Sequence, residues 1–197
     1  MESSTRKLQL EIMAKVEELN KLRRDTPPVA VKNYALKDLN GEVSLLELFG
    51  DKKHLFMIHN MGQGCRYCTL WADGLNGFVP HLESGFALAL ASKDTPEVQR
   101  AFANARGWRF RMVSHGGGDY IKEQNVMPSD GTTPGMVCYE RQGDKIFRKN
   151  VTGFGPGDLY SPIWHILSLA GVSEEFTPQF NYWKAPSKLD DGGENVV

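Results

Sequence analysis

Cysteine is scarce in this sequence. The 197 residues contain only 3, an odd number, which argues against a structural disulfide framework. Net charge is nearly absent: 23 lysines and arginines against 24 aspartates and glutamates leave −1. Nothing in that balance draws the chain toward nucleic acid or an anionic membrane surface. No apolar run is long enough to span a bilayer, and Met1 to Lys7 leads into no uninterrupted apolar stretch of the signal-peptide kind. Internal repeats and low-complexity tracts are also missing. These gaps leave a cytoplasmic globular protein as the expectation. A composition of 41% hydrophobic and 24% charged residues is ordinary for one. The length suffices for one domain with a sizeable core and an appended arm.

Two of the cysteines stand together. His54 to Asn60 is an apolar run, Met61-Gly62-Gln63-Gly64 is a glycine-bearing turn, and Cys65-Arg66-Tyr67-Cys68 follows. Thr69 to Asp73 then reads as helix, so a CxxC pair sits where a strand hands over to a helix start. Gly62 and Gly64 both tolerate positive φ in that turn. A helix start offers unpaired N–H groups and partial positive charge, which favour a thiolate over a thiol. Thiolate is the reactive form of cysteine, so the pattern points to redox chemistry.

The rest of the chain supplies a scaffold. Leu8, Ile12, Val16 and Leu19 recur at helical spacing with charges between them, predicting an amphipathic helix from about Ser4 to Arg24. It precedes the core, so it either packs on the domain or meets a second subunit in a homodimer. Val29 to Leu36 reads as a strand. Asn40-Gly41 suggests a type I′ hairpin turn. Ser44 caps a short helix, Leu45 to Phe49, with Glu47 completing a capping box. Lys53 to Asn60, Phe86 to Ala91 and Trp108 to Ser114 read as strands. A helix opening at Asp94 carries Val98, Phe102 and Ala105 inward. A hairpin around Gly143 and a last helix, Asp158 to Ala170, close the core, with Leu159, Ile163, Ile166 and Leu167 on the apolar side of that helix. The expected fold is α/β: a central mixed sheet flanked by helices. Residues 1–28 form a helical arm, 29–171 the domain, and 172–197 a tail. The tail's first part docks through Phe176, Phe180, Tyr182 and Trp183, and its end is disordered.

With these elements in place, the sequence resembles the thioredoxin-like superfamily, in particular its peroxiredoxin-type branch (alkyl hydroperoxide reductase C and thiol-specific antioxidant). Tyr34 to Leu45 looks like that branch's opening hairpin and short helix. The strand-then-cysteine segment matches in position, and Phe102 to Ser114 resembles its middle. Thr133-Pro134 looks like the cis-proline that faces the cysteine site. More narrowly, Gly64 to Asp73 and Val79-Pro80-His81-Leu82 resemble a bacterial thioredoxin-like family of unknown function. Two positions depart from the better-known patterns. Peroxiredoxins hold a threonine three residues before the reactive cysteine, where this chain has Gly62. Thioredoxins have Trp-Cys-Gly-Pro-Cys, where this chain has Gly64 and an inner Arg66-Tyr67 pair.

The resemblance implies a thioredoxin-like fold and thiol–disulfide exchange. Cys65 would be the nucleophile, Cys68 the resolving thiol and Pro134 the wall on the substrate side, with Thr133, Arg66 and Tyr67 contacting a disulfide or thiol substrate. Arg66 beside the pair would help lower the thiol pKa. His59, at the strand end, is a candidate proton shuttle, although an ordinary hydrogen-bonded histidine fits it as well. No cofactor is expected beyond a Cys65–Cys68 disulfide. Three alternatives stand beside this reading: a thiol peroxidase, a quiet binding module, and a metal protein. A metal would need two ligands beyond the CxxC, from Cys138, His59 or His81. Cys138 itself reads as a buried apolar cysteine. Trp71 reads as core. Arg109 and Arg111 share one strand face, suited to exposure or a salt bridge. His115 and its three glycines lack the spacing of a phosphate-binding motif.

Overall fold

The computed structural model describes residues 3–129, 131–172 and 176–178. Its strands are β1 (Val29–Val31), β2 (Ala35–Asp38), β3 (Gly41–Ser44), β4 (His54–His59), β5 (Ala87–Ser92), β6 (Arg111–Ser114), β7 (Gly135–Gln142) and β8 (Lys145–Gly153). The helices are α1 (Ser4–Asp25), α2 (Arg66–Asn76), α3 (Val79–Glu83), α4 (Pro96–Arg106), α5 (Asp119–Gln124) and α6 (Ile163–Leu169). One mixed sheet runs β1-β8-β7-β4-β5-β6-β2-β3. β4, β5 and β6 are parallel, and β7 returns antiparallel to β4. This is the thioredoxin-like architecture, with the added N-terminal helix present.

The stretch read as one strand, Val29 to Leu36, is two. β1 pairs with β8 and β2 with β6, six places apart in the sheet. The three residues between them, with their flanking bonds, reach roughly 14 Å at full extension. Six steps across a flat sheet would need about 29 Å. The sheet must therefore curl until its margins approach, and the residues inside the curl show what it closes around. Leu36, Val43, Leu45, Phe49, Leu55, Met57, Val113, Tyr120, Val137, Tyr139 and Ile146 form one buried cluster. The turn residues make the break: Asn33 Oδ1 accepts Leu46 N–H at 2.9 Å and Tyr34 C=O accepts Leu45 N–H at 2.8 Å.

Alternation along the strands separates the two cores. Leu55, Met57 and His59 point into the curl. Phe56 and Ile58 point to the other face, where Trp71, Ala72, Leu75, Val79, Ala103 and Trp164 pack from the helices. Asp73 joins α2 to α4, accepting from Arg106 Nε at 3.0 Å and Trp108 Nε1 at 2.7 Å. In α4 the buried positions are Gln99 and Ala103, not the predicted Val98 and Ala105. Gln99 is drawn inward because its amide donates to Ser92 Oγ at 2.7 Å and Val113 C=O at 3.0 Å, tying α4 to the ends of β5 and β6.

Other local expectations shift as well. The capping box is present: Ser44 N–H donates to Glu47 Oε2 at 2.7 Å, but the turn it starts is a 3-10 helix, Glu47–Phe49. The β2–β3 loop is Leu39-Asn40, and neither of these residues has positive φ. It is therefore not the type I′ turn; Asp38 Oδ1 holds Asn40 N–H at 2.8 Å instead. α6 begins at Ile163, not Asp158, because the Asp158 carboxylate is spent on the N–H groups of Gly155, Tyr160 and Ser161 and on Trp71 Nε1. Ile166 and Leu159 are consequently exposed. Arg109 is exposed, and Arg111 pairs with Asp38 at 3.2 Å. Of the tail, Phe176 packs edge-on against Trp164; Phe180, Tyr182 and Trp183 lie outside the described residues. Among the described residues, no helix is long and apolar enough to cross a membrane.

Candidate active site

The turn before α2 is built by three side chains. Asn60, buried after β4, accepts Gly62 N–H on Oδ1 at 2.8 Å. Asp94 reaches across from the end of β5 and accepts Gln63 N–H on Oδ2 at 2.8 Å. Gly62 C=O takes Cys65 N–H at 3.0 Å. Gly62 is required twice over. Its φ is +107°, and a Cβ there would lie 2.7 Å from the Asp94 carboxylate. Gly64 has no such constraint: its φ is not positive and open space surrounds it.

Cys65 is the N-cap of α2. Its Sγ accepts Cys68 N–H at 3.1 Å, the place a serine or aspartate oxygen takes in an ordinary cap. Cys68 is buried behind it, and its Sγ accepts Met61 N–H at 3.4 Å. The two cysteines approach to 2.6 Å, and both are free thiols. A hydrogen bond from the Cys68 thiol brings the Cys65 pKa down from 9.0 to about 6; burial opposes this, and the N–H groups of Cys68 and Tyr67 add to it. The same hydrogen bond, with burial, pushes Cys68 well up. At neutral pH the pair is therefore one thiolate and one thiol. Arg66 is exposed and is not among the causes of the Cys65 shift. The depression comes from the second sulfur and the helix start.

The other candidate residues fall as follows. Tyr67 is half-buried, its ring 6.3 Å from Trp164 and 6.2 Å from Trp71. Trp71 is core, stacked on Phe154. Pro134 lies at the same sheet margin as the cysteine turn, since the next residue, Gly135, is in register with His59. The Thr133–Pro134 bond is trans, contrary to the sequence expectation: no cis peptide is present among the described residues. The segment is held extended because Pro134 C=O accepts Phe154 N–H at 2.8 Å, adding a rung to the β7–β8 ladder. Thr133 N–H, which a docked peptide strand would use, is already donated to Asn125 Oδ1 at 3.0 Å.

His59 joins a different network from Cys65. It points into the curl, where its Nε2 lies 2.7 Å from Tyr120 Oη. Tyr139 and Gln124 continue the chain to Tyr34. Burial, then the neighbouring His115, lowers the His59 pKa to about 3, so the ring is neutral. Cys138 is half-buried on the opposite face, in register with Phe56, its thiol raised by burial to about 11. Among the described residues no three His, Cys, Asp or Glu side chains gather into a metal site.

Asn60, Asp94 and Met61 are positions of the candidate site that the sequence reading missed. An Asx residue directly before the glycine turn was the available signal for Asn60. Asp94 reads as the start of α4 and gives no sign that it reaches back across 31 residues.

A thioredoxin-like domain with two thiols at a helix start is thus the class that fold and site define. Residues 6–186 match the family model described as "Bacterial protein of unknown function (DUF899)", and the chain belongs to that family. No curated protein matches the sequence. Solved structures with a similar fold include peroxidoxin BcpB from Mycobacterium tuberculosis, with 14% identity, 76% of this chain and 97% of that one covered, and a TM-score of 0.53. A PrxQ mutant from Xylella fastidiosa gives 13%, 64%, 86% and 0.52. Reduced Prx3 in complex with H2O2 from Vibrio vulnificus gives 16%, 74%, 96% and 0.50.

Proposed function

We propose that the protein is a thiol–disulfide oxidoreductase acting through Cys65 and Cys68. The observation that carries this reading is the Cys65 sulfur in the cap position of α2, accepting Cys68 N–H with the second thiol directly behind it. The Cys65 thiolate attacks one sulfur of a substrate disulfide. A protein–substrate disulfide forms, the substrate S–S bond breaks, and the leaving thiolate takes a proton from solvent. Cys65 is then no longer an anion, so the partner that held the Cys68 proton is lost and Cys68 becomes easier to ionise. Met61 N–H supports that second thiolate. Cys68 attacks Cys65 Sγ, forms the Cys65–Cys68 disulfide and releases the second substrate thiol. Two electrons have passed from the protein dithiol to the substrate disulfide, and an external thiol must reduce the protein again. A pKa near 6 stabilises the reduced form and moves the couple toward a more oxidising potential.

A thiol peroxidase is the second reading, suggested by the peroxiredoxins that share the fold. Peroxide would convert Cys65 to a sulfenic acid, releasing an alcohol or water, and Cys68 would condense with it and release water. The Gly62 position weighs against it. A threonine there would have to displace Asp94 and adopt positive φ.

Differential alkylation of wild type, Cys65→Ser and Cys68→Ser across a graded glutathione series tests the exchange reading. A reversible Cys65–Cys68 disulfide is expected in wild type alone. Peroxide consumption on the same samples separates the two readings. Cysteines that resist alkylation under every redox condition would sink both.

A further inference from the structure

A cavity of about 360 Å³ opens at the margin where β4, β5 and β6 end and β7 begins. That margin is the usual place for ligands in sheets with parallel strands, and the volume is at the small end of ligand cavities, about 300–1,000 Å³. Met61 belongs to its wall, and Met61 N–H is the group that touches Cys68 Sγ. Met61 is therefore a neighbour of both the cavity and Cys68. Lys93 and Lys122 also line it, and neither is in an ion pair among the described residues.

The hydrogen-bond donors in the wall have the same bias. His115 Nδ1 accepts Gly117 N–H at 3.0 Å, so the neutral ring carries its hydrogen on Nε2 and donates to Thr132 Oγ1 at 3.4 Å. That leaves the Thr132 hydroxyl hydrogen free to donate. Of the described carboxylates nearby, Asp119 and Glu123 pair with Lys32, while Asp94 accepts Gln63 N–H and its charge still acts on His115 in the wall. Met61 and Ile121 supply apolar wall.

We propose that this cavity binds the carboxylate end of a small acidic thiol or disulfide and so selects anionic substrates for Cys65. The proposal rests on the exchange reading above and deepens it by naming the substrate class. Two cations with one hydroxyl donor and an apolar wall suit a carboxylate on an organic body. A phosphate, by contrast, is usually cradled by successive backbone N–H groups at the start of a longer helix.

The test compares two disulfides, the dianion 5,5′-dithiobis(2-nitrobenzoate) and the neutral 2,2′-dithiodipyridine. Both react with wild type, Lys93→Gln, Lys122→Gln and the double variant. Both lysines are exposed, so these variants should fold. The ratio of anionic to neutral rate should fall roughly tenfold in the double variant, as expected for removing two partly screened charges. Separately, 4-nitrobenzoate is titrated into Cys65→Ser by calorimetry, with and without the lysine substitutions. Saturable, lysine-dependent binding is expected. An unchanged rate ratio, or no carboxylate binding to Cys65→Ser, overturns the proposal. Inorganic phosphate competing as well as the carboxylate overturns the assigned ligand class. If Cys65 reacts with neither disulfide while 4-nitrobenzoate still binds through the lysines, the exchange reading fails and the carboxylate site stands.

Discussion

Helices α1 and α2 are capped by the same geometry and differ in the capping atom. Ser3 Oγ accepts Arg6 N–H at 3.2 Å, and Cys65 Sγ accepts Cys68 N–H at 3.1 Å. Each closes one of the N–H groups a helix start leaves open. On α1 the acceptor is a hydroxyl that stays neutral, so the field of the helix end only holds the cap. On α2 the acceptor can lose a proton, and the same field becomes chemistry. Burial divides them further. No residue of α1 is buried, whereas Cys68, Thr69, Trp71, Ala72 and Leu75 of α2 are. The reactive cap proposed at Cys65 would need a well-packed frame, and the aromatic stack beneath α2 supplies one.

The largest expected effect breaks the comparison at its chemical end. Cys65→Ser keeps an acceptor in the cap and should leave α2 folded, yet essentially all reaction with small disulfides should vanish. Cys68→Ala keeps the nucleophile but removes the thiol that stabilises it. The Cys65 pKa should then climb from about 6 by about one unit or more, read from thiolate absorbance against pH. An unchanged titration would mean that the N–H groups alone set the shift. Stability carries the same signature. Between pH 6 and 9 the unfolded thiol holds a proton that the folded one has lost. The stability advantage of wild type over Cys65→Ser should therefore grow as pH rises through that window and disappear below it.

The frame comes next. Trp71 stacks on Phe154, contacts Trp164 and donates its Nε1–H to Asp158 at 2.9 Å. Trp71→Ala should cost about 3–5 kcal/mol, measured by denaturant unfolding. A matching removal from α1, Ile12→Ala, should change stability by less than about 0.5 kcal/mol because that side chain is 59% exposed.

What could be read from the sequence follows the same division. The CxxC, its strand and its helix are contiguous, so their order and the place of the pair at a helix start were legible from spacing; that the Cys65 sulfur itself caps the helix was not. The capping box at Ser44 and Glu47 was legible for the same reason. The groups that shape the turn come from a distance. Asp94 arrives from the end of β5 and excludes a side chain at Gly62. No local pattern announces that. The orientation of His59 was hidden by its neighbours: an all-apolar strand gives no parity, and one residue's alternation sends it toward Tyr120 rather than toward Cys65. The break between β1 and β2 was hidden for a related reason. Only the curl of the sheet shows that two adjacent apolar stretches belong to opposite margins.

Acid should act on the curl before it acts on α1. His59 and His115 are held neutral, at about 3 and about 4 against an ordinary 6.5, mainly by burial. Below pH 6.5 the unfolded chain binds protons that the folded one refuses, so stability should fall as pH drops toward 4. His115→Gln should flatten part of that slope. A slope unchanged in that variant would assign the acid loss to other groups.

The smallest expected effect lies at the inert cap. Ser3→Ala removes one exposed acceptor, worth about 0.5–1 kcal/mol to the helix start. Because α1 buries nothing, that loss should fray its first turn without reaching the sheet. Hydrogen exchange should quicken at Arg6 and Lys7 and stay unchanged in β4 and β7. The reverse substitution sharpens the point. In Ser3→Cys the new thiol has a helix start but no second sulfur, so its pKa should settle between the ordinary 9.0 and the value of about 6 at Cys65. If it matched Cys65, the helix end alone would explain the lowered thiol pKa, and Cys68 would be left with only its proposed role in resolving a disulfide.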